Sequence, residues 1–430
     1  MFDRVKCEEG GDEMNFVWGL LGPETLSSAR RTRTLGLASV VRYFNDRAVP
    51  GLGGVWYGKQ LMLALLGVVV AERAKQQNPK FNASNIQVAN AIEALACWSA
   101  FKNNSASDPR LRGKEKLSGK QAEDFVFTSA RKPGFYLMQP MRMQTVQPLP
   151  ALGFVTATGE RFNSFTPTQE GLNFVEAACQ DYRPHKRDVV SHLMQWVLGH
   201  DNRVNTDALS NALSPLVAMP DEAKRLLCER LKQGNTERHN ALAWIEALKG
   251  GQAKTASGEL QRPEKIEDTH WRDIQAGALF LPLHDLAVAA LDAVEAGMGQ
   301  DCSLENGAAK AKAKLQALKD ASQKFLNFKY TVRRDAVDFC GQCVAEPVNA
   351  LRALVQRDET VLRWDGEKIR RGPAFQGNAV READPTQEPA GDTPVPPGLS
   401  YRFRNLYRLN LDLNDELGAW LNPDNNEGAG

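Results

Sequence analysis

The chain has 430 residues, 42% of them hydrophobic, which is ample for two or three domains with cores of their own. Fifty-three Lys and Arg stand against 52 Asp and Glu, a net charge of +1. So balanced a chain lacks the cationic field that coats nucleic acid unspecifically, but it leaves room for a local basic patch.

Seven scattered cysteines suggest no disulfide framework and fit a reducing cytoplasm. The start, MFDRVKCEEGGDE, is charged and has no apolar core of a secretory signal. Residues 1–15 read as loose and acidic, and 16–80 as helices. Pro50, Gly51, Gly53 and Gly54 break that region before a very apolar helix over about Lys59–Gln76. Its apolar run Leu61–Ala71 would rise only about 16 Å as a helix. That is short of a ~30 Å bilayer core, so a buried helix is expected and no membrane partner. Ser84 with Gln87 three residues on forms a capping box that opens a helix over about Asn85–Phe101. Asn103–Gly119 reads as a loop carrying Arg110, Arg112, Lys114 and Lys116, with Lys120 just beyond it, and Gln121–Ala130 as a short helix.

Residues 141–171 read MRMQTVQPLPALGFVTATGERFNSFTPTQEG. A polar, basic segment (Met138–Leu149, shortened by Pro148) leads into an apolar strand, Leu152–Val155. A Thr/Gly turn, a second strand over Arg161–Phe165 and a helix start follow. Thr166 is expected as N-cap, Pro167 at the first helical position and Gln169 as capping partner. In a helix-turn-helix module the second helix enters the major groove, with the wing beside it on the backbone. Arg142, Gln144 and Gln147 are of the right type for base or phosphate contacts. Arg161 follows the wing turn, and Arg131 and Lys132 could touch backbone phosphates. An ordinary surface on a structural or protein-docking winged helix is the alternative.

Further along, Asp188–Leu248 is helical in pattern, Gly250–Gly258 a loop, and Trp271–Met298 helical with a break at Pro282. Ala308–Lys329 pairs one apolar stripe with a Lys-rich face, which reads as a solvated surface. Asp365-Gly366 within VLRWDGEKIRR signals a two-residue hairpin. Asp384–Gly398 holds five prolines and reads as an extended linker. Behind it Tyr401, Phe403, Leu406, Leu409, Leu413, Leu417 and Trp420 suggest an amphipathic helix. Its apolar face must bury itself, either on its own domain or on a partner.

Three other patterns carry less. Gly53-Gly-Val-Trp-Tyr-Gly58-Lys59 has the spacing of a phosphate loop, but Gln60 stands where a Mg²⁺-binding Ser or Thr belongs. His284-Asp285 could belong to a metal-dependent phosphohydrolase, with His239 or His270 and Asp335 or Asp338 as further ligands. Cys340 and Cys343 form a C-x-x-C pair without the second pair a structural zinc needs. Catalytic residues, metal ligands and cofactors are therefore expected to be none.

The stretch LGFVTATGERFNSFTPTQEGLNFV is similar to the wing and following helix of winged-helix regulators, over about 30 residues, within a segment of about residues 85–180. RYFNDRAVPG, the helix after it and MPDEAKRLLCERLKQ resemble pieces of uncharacterised bacterial proteins of phage-defence islands. That resemblance implies a multi-gene setting with ATPases or nucleases.

The expected fold is mainly α, a helical multi-domain protein with an embedded winged-helix hairpin and a small C-terminal β-hairpin. Its divisions are an N-terminal helical region (1–80), a winged-helix-like domain (81–180), a helical domain (181–383), the linker (384–398) and a docking segment (399–430). The expected function is a non-enzymatic, cytoplasmic, DNA-associated subunit of a bacterial complex, bound to protein subunits of the same system. A protein-only scaffold and a metal-dependent phosphohydrolase are the alternatives.

Overall fold

The computed structural model describes residues 33–103, 108–249, 261–330, 333–375 and 393–422. The expected acidic start over 1–15, the Gly250–Gly258 loop and residues 384–392 of the expected linker lie outside them.

The fold is mainly helical, with short strands in two small sheets. The described chain opens with α1 (Ala38–Ala48), then α2 (Gly58–Gln77) and α3 (Asn85–Asn103). Short α4 (Lys114–Leu117), α5 (Phe127–Ala130) and α6 (Pro148–Ala151) lead to β1 (Val155–Ala157) and β2 (Phe165–Pro167). Next come α7 (Gln169–Cys179), α8 (Val189–Val197), α9 (Asp207–Leu213), α10 (Asp221–Lys232) and α11 (Thr236–Lys249). The long α12 (Asp268–Ala296) precedes β3 (Asp301–Cys302), α13 (Leu304–Lys310), α14 (Lys312–Asn327), α15 (Arg334–Cys343) and α16 (Pro347–Asp358). A hairpin of β4 (Leu362–Trp364) and β5 (Ile369–Arg371) follows, and α17 (Tyr401–Leu413) and α18 (Leu417–Leu421) complete the described chain.

Two hydrophobic cores divide these elements. The first gathers α2, α3, the β1–β2 hairpin, α7 to α11, the start of α12 and Val395–Leu417. The second gathers Leu35–Phe44, the rest of α12, and the elements from β3 to β5. Residues 81–180 are thus one wall of a larger body. The reason is α2: buried on nearly every face, it has to be enclosed from all sides. Gly67 lets α3 lie against it, since a Cβ there would come within 2.4 Å of the Ala89 Cα.

α12 runs without a break through Pro282, where an interruption was expected. A proline inside a helix costs about 3 kcal/mol. Packing on both sides of it offsets that cost, with Phe280 5.1 Å from Phe44 and 5.4 Å from Phe325, and Leu283 fully buried. By length and composition α12 could cross a membrane. In this fold it is packed against α1, α13, α14 and α16 and joins the two cores.

The C-terminal helix resolves the two fates left open for it in favour of its own protein. Phe403, Leu406, Leu409 and Leu417 are buried in the first core, and Phe403 meets Trp244 at 5.0 Å. Leu413 and Trp420 pack at the edge of the same core, and Tyr401 is half-buried. Arg402 pairs with Asp46 and donates to the Val49 carbonyl and to Gln147 Oε1.

The Asp365-Gly366 hairpin forms, but its loop spans four residues, because Trp364 pairs with Ile369. Asp365 Oδ1 accepts from the Glu367 and Lys368 N–H groups at 2.9 and 2.7 Å, which stabilises the longer turn. β3 adds to β5, giving the order β3-β5-β4.

Candidate nucleic-acid interface

The expected hairpin exists, displaced by a few residues. Val155 pairs with Pro167 and Ala157 with Phe165 in an antiparallel ribbon. Residues Arg161–Ser164 are therefore the loop side of the hairpin, where a strand was expected. Phe162 decides this: it turns inward through a tight 3₁₀ turn, Phe162–Ser164, and packs 5.2 Å from Phe165. The next helix starts two residues late for the same reason. Thr166 and Pro167 are taken by β2, and Thr168 is the N-cap, accepting from Gly171 N at 3.1 Å.

The hairpin sits on the N-terminus of α3. Asn85 Nδ2 donates to the Phe165 carbonyl at 2.9 Å, and Ile86 N donates to Asn163 Oδ1 at 3.0 Å. The capping box beside them is complete, with Ser84 N to Gln87 Oε1 at 3.0 Å and Gln87 N to Ser84 Oγ at 3.3 Å.

The segment expected to read bases is not an α-helix. Met141–Thr145 is a 3₁₀ turn after Pro140, and α6 begins at Pro148. Glu93 of α3 holds it from below. This buried carboxylate accepts from Met141 N at 2.7 Å, Arg142 N at 3.1 Å and Tyr136 Oη at 3.1 Å. Burial pushes its pKa up against those stabilising hydrogen bonds.

The side chains follow from that placement. Arg142 is half-buried, donates from Nε to Asn90 Oδ1 and lies 5.4 Å over the Phe162 ring. Gln144 is buried and accepts from Gln60 Nε2. Gln147 donates to Asp46 Oδ1 at 2.8 Å and accepts from Arg402. All three are tied into the fold by these bonds. Arg131 is half-buried, bonds Asn82 Oδ1 at 3.2 Å and lies 5.9 Å from the Phe127 ring. Lys132 and Arg161 are exposed.

Asn82 and Asn85–Ile86 belong to one short stretch at the start of α3, so Arg131 and the hairpin loop meet at the same end of the molecule. Lys80, exposed in the turn just before, adds a cation that its lack of any motif concealed. The side chains of Lys80, Lys132 and Arg161 make no ion pair among the described residues. Exposed Glu160 is the acid beside them. Such a set can neutralise phosphates; it offers no array of donors for base edges.

The other sequence patterns have internal roles. The loop before Lys59 is closed from within: Asp412 Oδ2 accepts from Gly58 N at 2.8 Å, at the helix end where a phosphate would bind. Lys59 is buried, donates to the Ala212 carbonyl at 2.6 Å, and burial lowers its pKa to about 8. His284 Nε2 lies 2.9 Å from the Arg33 carbonyl and Asp285 is exposed. His270 meets the Ala48 carbonyl at 3.0 Å, and Asp335 pairs with Arg333. Among the described residues no three His, Cys, Asp or Glu side chains converge as metal ligands. Cys340 and Cys343 are buried, and burial pushes both thiols up to about 12, far from a reactive thiolate. A cleft of about 360 Å³ between α2, α7 and α8 is lined by Val69, Arg73, Leu172, Cys179, Asp188 and Val190. Burial pushes the Cys179 thiol up to about 11, so this cleft presents no activated nucleophile.

Comparison with protein-family models, with curated proteins and with solved structures finds no match to this chain.

Proposed function

We propose that this protein is a non-enzymatic, DNA-associated subunit of a multiprotein assembly, and that its hairpin end rests on the phosphate backbone without reading bases. One observation carries this: Lys80, Lys132 and Arg161 are exposed and make no ion pair among the described residues, at the end where the β1–β2 loop meets α3, while Arg142, Gln144 and Gln147 bond inside the fold. Phosphate contacts position a protein on a duplex, and base contacts specify sequence; only the first kind has side chains here. The phage-defence setting rests on the resemblance of RYFNDRAVPG and MPDEAKRLLCERLKQ alone.

The test is binding to duplexes of unrelated sequence at several salt concentrations. Affinity should vary little with sequence and fall steeply with salt. Lys132→Ala with Arg161→Ala should weaken all duplexes alike and reduce the salt slope by about 0.9 for each phosphate left without its cation. Unchanged binding in that double variant sinks the reading.

A protein-only scaffold is favoured by a different feature. Met138 and Met143 are 78% and 47% exposed, the large hydrophobic side chains left in solvent among the described residues. Thioethers adapt to varied partner surfaces. Met138→Lys with Met143→Lys should abolish co-purification of a protein partner under this reading and leave DNA binding intact.

A further inference from the structure

Some exposed or half-exposed cations of this fold are matched by acids among the described residues. Arg225 bonds Glu222 and Glu229, Arg203 bonds Asp201, Arg370 bonds Asp365, and Lys249 bonds Glu416. Others, such as Arg42, Lys80, Lys114, Lys116, Lys132, Arg161 and Arg363, are exposed without an ion pair among the described residues, and such cations are densest along α14. Residues 310–329, KAKAKLQALKDASQKFLNFK, hold six lysines and one acid, Asp320. Lys310 donates to the Gly297 carbonyl, and Asp320 is taken by Gln316 at 2.8 Å. Lys312, Lys314, Lys324 and Lys329 are exposed and Lys319 half-exposed. The side chains of these five make no hydrogen bond, ion pair or ring contact among the described residues.

The arrangement is unfavourable for the isolated protein. Lys312 and Lys314 stand in the first turn of α14, which holds no acid, and the helix dipole disfavours cations there. The buried stripe of the same helix (Leu315, Leu318, Ser322 and Phe325) fixes α14 on the second core, so the lysines are held around its solvent side. Local rules broken in this way, without internal compensation, are expected where a ligand supplies the missing charge. The missing charge is an extended anion, because the lysines follow 18 residues of chain, from 312 to 329, and do not converge on a point.

We infer that the lysine face of α14 is a second phosphate-backbone contact, carried by the second body as the hairpin end is carried by the first. The inference rests on the DNA-associated reading above and names duplex DNA as the occupant. Lysines act here as mobile point charges that track phosphates, and they add affinity without sequence preference.

The experiment uses the full chain and a duplex of about 30 base pairs, titrated by fluorescence anisotropy at several salt concentrations. The variant is Lys312→Gln, Lys314→Gln, Lys319→Gln and Lys324→Gln, which removes charge but keeps helix-forming side chains. Thermal melting checks that it folds. The hairpin variant Lys132→Ala with Arg161→Ala is run beside it. The expected result is a salt slope reduced by up to about 3.6 in the α14 variant, about 0.9 for each phosphate no longer neutralised, with lysine replaced by Arg at the same four positions restoring it. If the hairpin variant loses slope and the α14 variant does not, the inference is overturned and the DNA reading survives. If the wild type binds no duplex at low salt, both fall. If vesicles rich in phosphatidylserine capture the protein through α14 while DNA does not, the inference is likewise overturned.

Discussion

The two bodies of this protein are assembled in different ways. The second is nearly continuous in sequence: from Ala276 to Ile369 each helix packs on a near neighbour, and among the described residues only the segment Leu35–Phe44 of its core comes from far away. The first closes over a long distance, with α17 lying against α1, α2 and α11. It also holds more of the buried charged side chains described: Lys59, Glu93, Arg238, Arg402 and Arg408 are all nearly inaccessible. A body closed by its last helix should fail when that helix is removed; a body built from neighbours should fail only when its own packing is cut.

The largest effect follows directly. Truncation before Val395 should unfold the first body, read as loss of its cooperative melting transition. Phe403→Ala alone should cost about 3–5 kcal/mol, because it opens a cavity against Trp244. Near-normal melting of the truncated chain would show that α17 is a detachable tail and erase the contrast.

The second body has its own staple. Arg33, almost fully buried, pairs with Asp358 at 3.0 Å, with Glu295 at 2.8 Å and with Asp292. Arg33→Leu should cost about 3 kcal/mol, since it leaves the buried Asp358 carboxylate without its cation. Hydrogen exchange should report the loss in α12 and α16 and spare α2 and α3. Uniform loss of protection would mean that the bodies unfold as one.

A smaller, pH-dependent effect is expected at Asp201. Hydrogen bonds from Arg203 and Arg187 hold its carboxyl well below the usual carboxylate range. Its folded pKa is depressed, so its contribution is present above pH of about 4 and is lost as pH falls toward the folded value. Asp201→Asn should cost about 1–2 kcal/mol at neutral pH. It should also flatten the stability curve below pH of about 4; an unchanged acid limb would refute the assignment.

Lys59 should give the smallest change at neutral pH and a distinct alkaline signature. Its folded pKa of about 8 lies below the unfolded value near 10.5. The unfolded chain therefore binds the extra proton between those values, and stability rises with pH across that window. Lys59→Met should abolish the rise while changing stability at pH 7 little, because a buried cation and its bond to the Ala212 carbonyl disappear together. Denaturation midpoints at pH 7, 8, 9 and 10 measure it.

Of the candidate interface, the existence of a hairpin, its position before a helix and the Ser84–Gln87 cap were legible, because turn residues and capping pairs act within a few residues. The register was not. Phe162 reads as one apolar residue in a strand, yet its packing on Phe165 under Arg142 pulls residues 161–164 out of the ladder. The roles of Gln144 and Gln147 were hidden for a similar reason: their partners, Gln60, Asp46 and Arg402, come from three distant segments.

By itself the sequence determined the helical class, the burial of α2, the capping box of α3 and the two hairpins, since each depends on periodicity or on short-range hydrogen bonds. Only the tertiary structure decided which polar side chains face water, that Pro282 stays inside one helix, and that the last helix completes the first core. Those outcomes depend on which distant surfaces meet, and the free energy of that meeting is a property of the packed chain that no local stretch of it contains.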